Sequence, residues 1–231
     1  MDIRSLIESQ YSKETEAFTA HPQFQTLESG VASTQDYDDF VANVCTSHLK
    51  SPQVLAFLFA LSPPSDAEHL KRNMLEELGL DEEGVSHPGL LLELAEAAGF
   101  DQQARLRLDA LAQEELRRMC CDPLLYGTLR EVGLSVLLET TSFEWMLSRT
   151  ASRIAQFLGQ HRHLPNQSLI WFYHHSEVDK RHAEEGLDAV VNYVQFYDFD
   201  PTDVQSILEL TFRENVFVKR YFGELALAQR T

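Results

Sequence analysis

The chain has 231 residues, 44% of them hydrophobic, enough to bury one sizeable core, and its 36 acidic and 19 basic side chains give a formal charge of −17. That charge repels phosphate backbones and anionic membrane surfaces, which argues against a nucleic-acid or membrane partner. Ten glycines and eight prolines fall between stretches of helical period, not at the short regular spacing of an all-β chain.

The pattern predicts an all-α fold, one helical domain over residues 1–231, with helices over 2–18, 36–61, 65–79, 87–98, 101–119, 123–159, 166–197 and 201–228. Ser62-Pro63-Pro64-Ser65, His87-Pro88-Gly89, Asp122-Pro123, Leu164-Pro165-Asn166 and Asp200-Pro201 punctuate them. The first thirty residues hold no apolar run, so neither a signal peptide nor a membrane span is expected. Cys45, Cys120 and Cys121 form no CxxC pair and read as reduced thiols, which together point to the cytoplasm.

Three polar residues or groups interrupt the predicted core. On the helix over 65–79, Leu70, Met74 and Glu77 share a face, so Glu77 breaks an apolar stripe; Glu76 lies about a hundred degrees away and is the competing choice. His87 follows ten residues later, just before Pro88, where a histidine is ordinarily a cap. On the helix over 123–159, Leu125, Leu129, Val132, Val136, Glu139, Phe143 and Met146 form one stripe, with Glu139 in its middle. A buried carboxylate must be paired, protonated or bound to a metal.

The third interruption is the run His175, Asp179, His182, which projects from one helical face that continues through Phe172, Gly186, Val190 and Tyr193 and so points inward. Two imidazoles and a carboxylate suit iron, manganese or zinc. A solvated charged patch is the competing reading, since Glu177, Lys180, Arg181, Glu184 and Glu185 lie nearby; His174 points a quarter turn away. Together Glu77, His87, Glu139, His175, Asp179 and His182 make three carboxylates and three imidazoles, whose charge nearly offsets two divalent metals.

An acidic residue, then His-Pro, then a glutamate on a long helix, then His-x3-Asp-x2-His resembles the heme-oxygenase-like di-iron oxidases, relatives of PqqC, TenA and the chlamydial death-domain-associating protein. The resemblance covers most of the chain. His21-Pro22-Gln23-Phe24 through Gly30 is similar to the family's opening HPF-and-glycine segment, and Glu139-Thr140-Thr141-Ser142-Phe143-Glu144 to its ESQxPE segment. That match favours Glu139 over Glu144 as a ligand, while the inserted Gln160-His161-Arg162-His163 leaves Glu144 as the alternative. His161 and His163 themselves read as a solvated loop.

The resemblance implies a heme-oxygenase-like bundle of about seven or eight helices, a possible homodimer, holding two Fe(II) ions that react with O2 as co-substrate to oxidise a small organic substrate such as an amino acid, amine or carboxylate. One branch of the family consumes its own tyrosine and lysine to make p-aminobenzoate; the matching positions here hold Phe24 and Arg149, so an external substrate is expected. Competing readings are a TenA- or PqqC-like protein that binds an organic ligand without redox metal, and an acidic helical interaction module. A ferritin-like arrangement, with Asp66-x-x-His69 paired to Asp179-x-x-His182, is a further alternative.

Overall fold

A computed structural model describes residues 2–82, 84–121 and 127–223, and every regular element among them is helical. Helix α1 (Ile3–Ala20) ends at His21, whose extended backbone is what a following proline imposes, and Pro22 then opens α2 (Pro22–Glu28), a helix the periodicity does not predict. The single helix expected over 36–61 is two, α3 (Thr34–His48) and α4 (Ser51–Leu61), divided at Leu49–Lys50 ahead of Pro52. Proline is tolerated in a first turn but not inside a helix, so Pro52 marks a start and not a continuation.

Helix α5 (Ala67–Leu78) stops at Gly79, whose φ of 67° lets the amides of Gly79 and Leu80 cap the carbonyls of Glu76 and Leu75. A Cβ there would lie 2.6 Å from the Ser86 nitrogen, so only glycine lets the loop return tightly into α6 (His87–Ala97). Helix α7 (Gln102–Cys121) follows. The long helix α8 (Leu129–His161) begins at a capping box between Thr128 and Glu131, later than the expected residue 123; residues 122–126, with Leu125, lie outside the described residues.

A 3-10 turn over Asn166–Leu169 leads into α9 (Ile170–Phe196), and α10 (Pro201–Thr211) and α11 (Val216–Phe222) complete the described chain. The predicted helix over 201–228 is broken at Phe212–Asn215, where the Asn215 side chain caps α11; residues 224–231 are outside the described residues.

Helices α8 and α9 run antiparallel along each other as the central pair, with Thr141 facing Gly186 and Arg130 facing Tyr193. A Cβ on Gly186 would stand 2.5 Å from Thr141 Cγ2, so the glycine is what allows the two helices to close at that level. The other helices wrap this pair: α1 packs on α8 and α9, the α4–α5 hairpin reaches α8 through α4, and α3 carries α6, α7 and α11. Buried aromatic rings, among them Phe18, Phe24, Phe40, Phe157 and Tyr221, fill one end in edge-to-face contacts. The apolar residues of the predicted α8 stripe are buried from Val132 to Met146 and Glu139 among them is half-buried, but Leu129, in the first turn, is 57% exposed. Among the described residues no helix is long and apolar enough to cross a membrane.

Candidate metal centre

The tight α5–α6 turn brings together two residues that lie ten apart in sequence. Glu77 and His87 are both buried, and His87 Nδ1 lies 2.7 Å from Glu77 Oε1. His87 is the first residue of α6; Ser86, not His87, provides the cap, which frees the imidazole to turn inward. On the other oxygen of Glu77, the Ser51 hydroxyl donates from the first turn of α4.

Helix α9 presents His175, Asp179 and His182 inward: all three are buried, as are Phe172, Gly186, Val190 and Tyr193 on the same face. His175 donates from Nδ1 to the Trp171 carbonyl at 2.7 Å, which fixes the tautomer and turns Nε2 toward Glu77 Oε1, 3.5 Å away. One atom each from Glu77, His87 and His175 lies within 4.8 Å of the others. That is the core of a ligand set, and three of the six expected residues build it. His174, half-buried, packs its ring edge-on against His87 at 4.7 Å.

The second half of the cluster is arranged differently. His182 Nδ1 is 3.5 Å from Asp179 Oδ1, and His182 Nε2 is 2.8 Å from Glu76 Oε2, itself held by Arg181. Glu76, the weaker choice by helical geometry, thus reaches the α9 face beside Glu77, because the two consecutive side chains straddle the line of contact with α9. Asp179 Oδ2 is buried with no hydrogen-bond partner.

Glu139 and Glu144 of α8 take two different roles. Both line a cavity of about 70 Å³ beside Glu77, His175 and Asp179. The Glu139 carboxylate, however, is taken by Arg220 of α11, whose Nε donates to Glu139 Oε1 at 2.6 Å and whose Nη1 donates to Glu115 at 2.5 Å. Glu144 has no such cation. Its carboxylate accepts from the Asn73 amide at 2.8 Å and lies close enough to His182, Asp179 and Glu77 to feel their charges.

The electrostatics follow from burial and these neighbours. Burial disfavours the Glu77 anion, but His87 and His175 outweigh it and hold its pKa well below the carboxylate range. Burial likewise opposes charge on His175 and His182, yet Asp179 and Glu77 raise the former, and Asp179 and Glu76 lift the latter to about 10. Glu144 goes the other way: burial, with Asp179 and Glu77 nearby, pushes it up to about 7 against the pull of His182.

The donor set fits a transition metal such as iron. Glu77, His87 and His175 converge in the buried core, His175 is oriented through its outer nitrogen, and the Asp179 oxygen without a partner among the described residues is the kind of buried atom a cation satisfies. Two further residues belong to this neighbourhood. Glu144 is, by sequence, the alternative to Glu139. His69 belongs to the expected ferritin-like pair, and its buried Nε2 lacks a partner among the described residues beside a small hollow shared with Glu144 and His182. Its expected mate Asp66 accepts instead from Asn192 at 2.7 Å.

Outside the cluster, Phe24 sits in the aromatic core against Phe18 and Phe157, Arg149 lies over the Trp145 ring at 3.5 Å, and His161 and His163 are exposed. His161 packs beneath Gly30, where a Cβ would stand 2.6 Å from its ring.

Comparison with known proteins agrees with the fold. A domain of unknown function with a heme oxygenase-like fold from Shewanella denitrificans superposes with a TM-score of 0.61 at 14% identity, covering 100% of this chain and 94% of that one. No curated protein matches. A family profile described as iron-containing redox enzyme matches residues 38–210, a span that contains every residue of the cluster, and the chain belongs to that family.

Proposed function

We propose that the protein is a non-heme oxidase or oxygenase that holds two iron ions and uses O2 against a small organic substrate in the cytoplasm. The observation that carries this reading is the convergence of Glu77, His87 and His175 within 4.8 Å, next to the partnerless oxygen of Asp179. Glu77, His87 and His175 would hold one ion, and Asp179, His182 and Glu144 the other. Glu144 takes the place expected of Glu139, because Glu139 neutralises Arg220, whereas Glu144 pairs with no arginine or lysine among the described residues.

Iron bound there supplies the one-electron and oxygen chemistry that no side chain offers. The chain's own residues do the rest. The Trp171 carbonyl keeps the proton of His175 on Nδ1 and so leaves Nε2 as a donor pair. Ser51 and Asn73 steady the carboxylates of Glu77 and Glu144. Val54, Leu55, Phe143 and Leu147 wall the cavity with apolar surface, which excludes water and strengthens every electrostatic contact inside.

Anaerobic reconstitution tests the proposal: about two ferrous ions per chain are expected, followed by oxygen consumption when air is admitted. Stoichiometry that stays below about one per chain would overturn the two-metal reading.

A further inference from the structure

The cavity beside the cluster does not stand alone. A larger open cleft of about 160 Å³ lies between α7, α8, α10 and α11, and the two spaces share Met119, Glu139 and Arg220 as a common wall. The cleft is lined by four cationic side chains, Arg118, Arg213, Lys219 and Arg220, against two carboxylates, Glu139 and Glu214. Three of the four are paired, Arg118 with Glu115, Lys219 with Glu214 and Arg220 with Glu115 and Glu139, so four cations face three carboxylates; on a chain of formal charge −17 even that small surplus is an exception, and it favours an anion over a cation.

Arg220 is the cation at the dividing wall. Its side chain is only 6% exposed, and its pairing is geometrically unfinished: Nε and Nη2 both donate to the same oxygen, Glu139 Oε1. A guanidinium presents these two donors as a fork that matches the two oxygens of one carboxylate. We propose that the cleft admits a short-chain organic carboxylate and that Arg220 binds it through this fork, displacing Glu139, while the chain lies along Val54, Leu55, Phe143 and Leu147 toward the metal ligands. Calling that anion a substrate rests on the metal reading above; its binding at Arg220 does not.

The test uses the full chain freed of metal, with butanoate as probe, butylamine as the opposite-charge control and butanol as the uncharged control, read by calorimetry. Butanoate should bind better than either control and weaken as salt is raised. Glu139→Gln, which releases the fork without removing the guanidinium, should tighten butanoate by about tenfold, the size of one charge-assisted hydrogen bond. Adding Arg220→Gln to that variant should abolish the gain, and because the double change leaves fewer buried charges than Arg220→Gln alone, it keeps the comparison within reach of a folded protein.

Preference for butylamine, no butanoate binding to any variant, or a Glu139→Gln protein whose affinity is unchanged or weaker would each overturn the proposal. Ferrous stoichiometry on the same samples is decided separately: normal loading without butanoate binding removes the carboxylate site alone, and butanoate binding without loading removes the metal reading alone.

Discussion

At the scale of single residues, Glu139 and Glu144 of α8 make opposite demands on the same substitution. Glu144→Gln should lower anaerobic iron loading to about one ion per chain, whereas Glu139→Gln should retain about two, since its carboxylate serves Arg220. Iron analysis of both variants, together with wild type, checks this; equal loss in both would return Glu139 to the ligand set. The sequence shows that Glu139 interrupts an apolar stripe, and periodicity alone predicts that Glu139→Leu repairs it at no cost. The structure reverses that expectation, because the leucine would leave the enclosed Arg220 guanidinium with Glu115 as its remaining carboxylate partner. A loss of about 1–3 kcal/mol is expected in denaturant melts, below the full cost of an unpaired buried charge because Glu115 remains. What the sequence lacks is any local sign of Arg220: it lies 81 residues away, on a helix that the periodicity merges with its neighbour.

At the scale of elements, legibility depends on whether the decisive contact is local. His175, Asp179 and His182 could be read together because one helix carries all three and their spacing alone puts them on one face. The Glu77–His87 contact depends on a turn, and its sequence sign is Gly79, a residue that can adopt φ 67° where the loop passes close to Ser86. The breaks at Leu49–Lys50 and Phe212–Asn215 are less legible, since the apolar period runs across them and only Pro52 and the Asn215 cap mark the change of direction, while the short α2 after His21 shows no period of its own and is marked only by Pro22. Gly79→Ala tests the turn. It should cost about 1–2 kcal/mol from the left-handed backbone, with a further penalty from the contact at Ser86. Iron loading should fall as well, because Glu77 and His87 flank the displaced loop. A variant with unchanged stability and full iron content would show that the turn does not set the ligand geometry.

At the scale of the whole molecule, the helical class and the family could be read from pattern and motif, but the balance of charge inside the core could not. Summed over the cluster, Glu77, Asp179 and Glu144 place three carboxylates close together in a poorly solvated region, and the rise of Glu144 to about 7 comes chiefly from burial, with the neighbouring Asp179 and Glu77 charges adding to it. Histidines offset part of it only by holding protons that a bound cation would release, and one oxygen of Asp179 is left without a partner. Metal therefore binds the folded chain with an advantage the unfolded chain cannot match, and the folded state should gain about 2.7 kcal/mol when free ferrous ion stands at a hundredfold excess over its dissociation constant. For a chain of this length that corresponds to a rise in melting temperature of about 5–10 °C. The measurement is a pair of anaerobic melts, stripped and ferrous-loaded, repeated for Asp179→Asn, which removes one of the crowded charges together with a metal donor. The stripped variant should melt no lower than the stripped wild type, while the ferrous-dependent rise should shrink. A wild-type melt indifferent to iron would mean that the cluster is balanced by its own ion pairs, and that Glu77, His87 and His175 converge for packing alone.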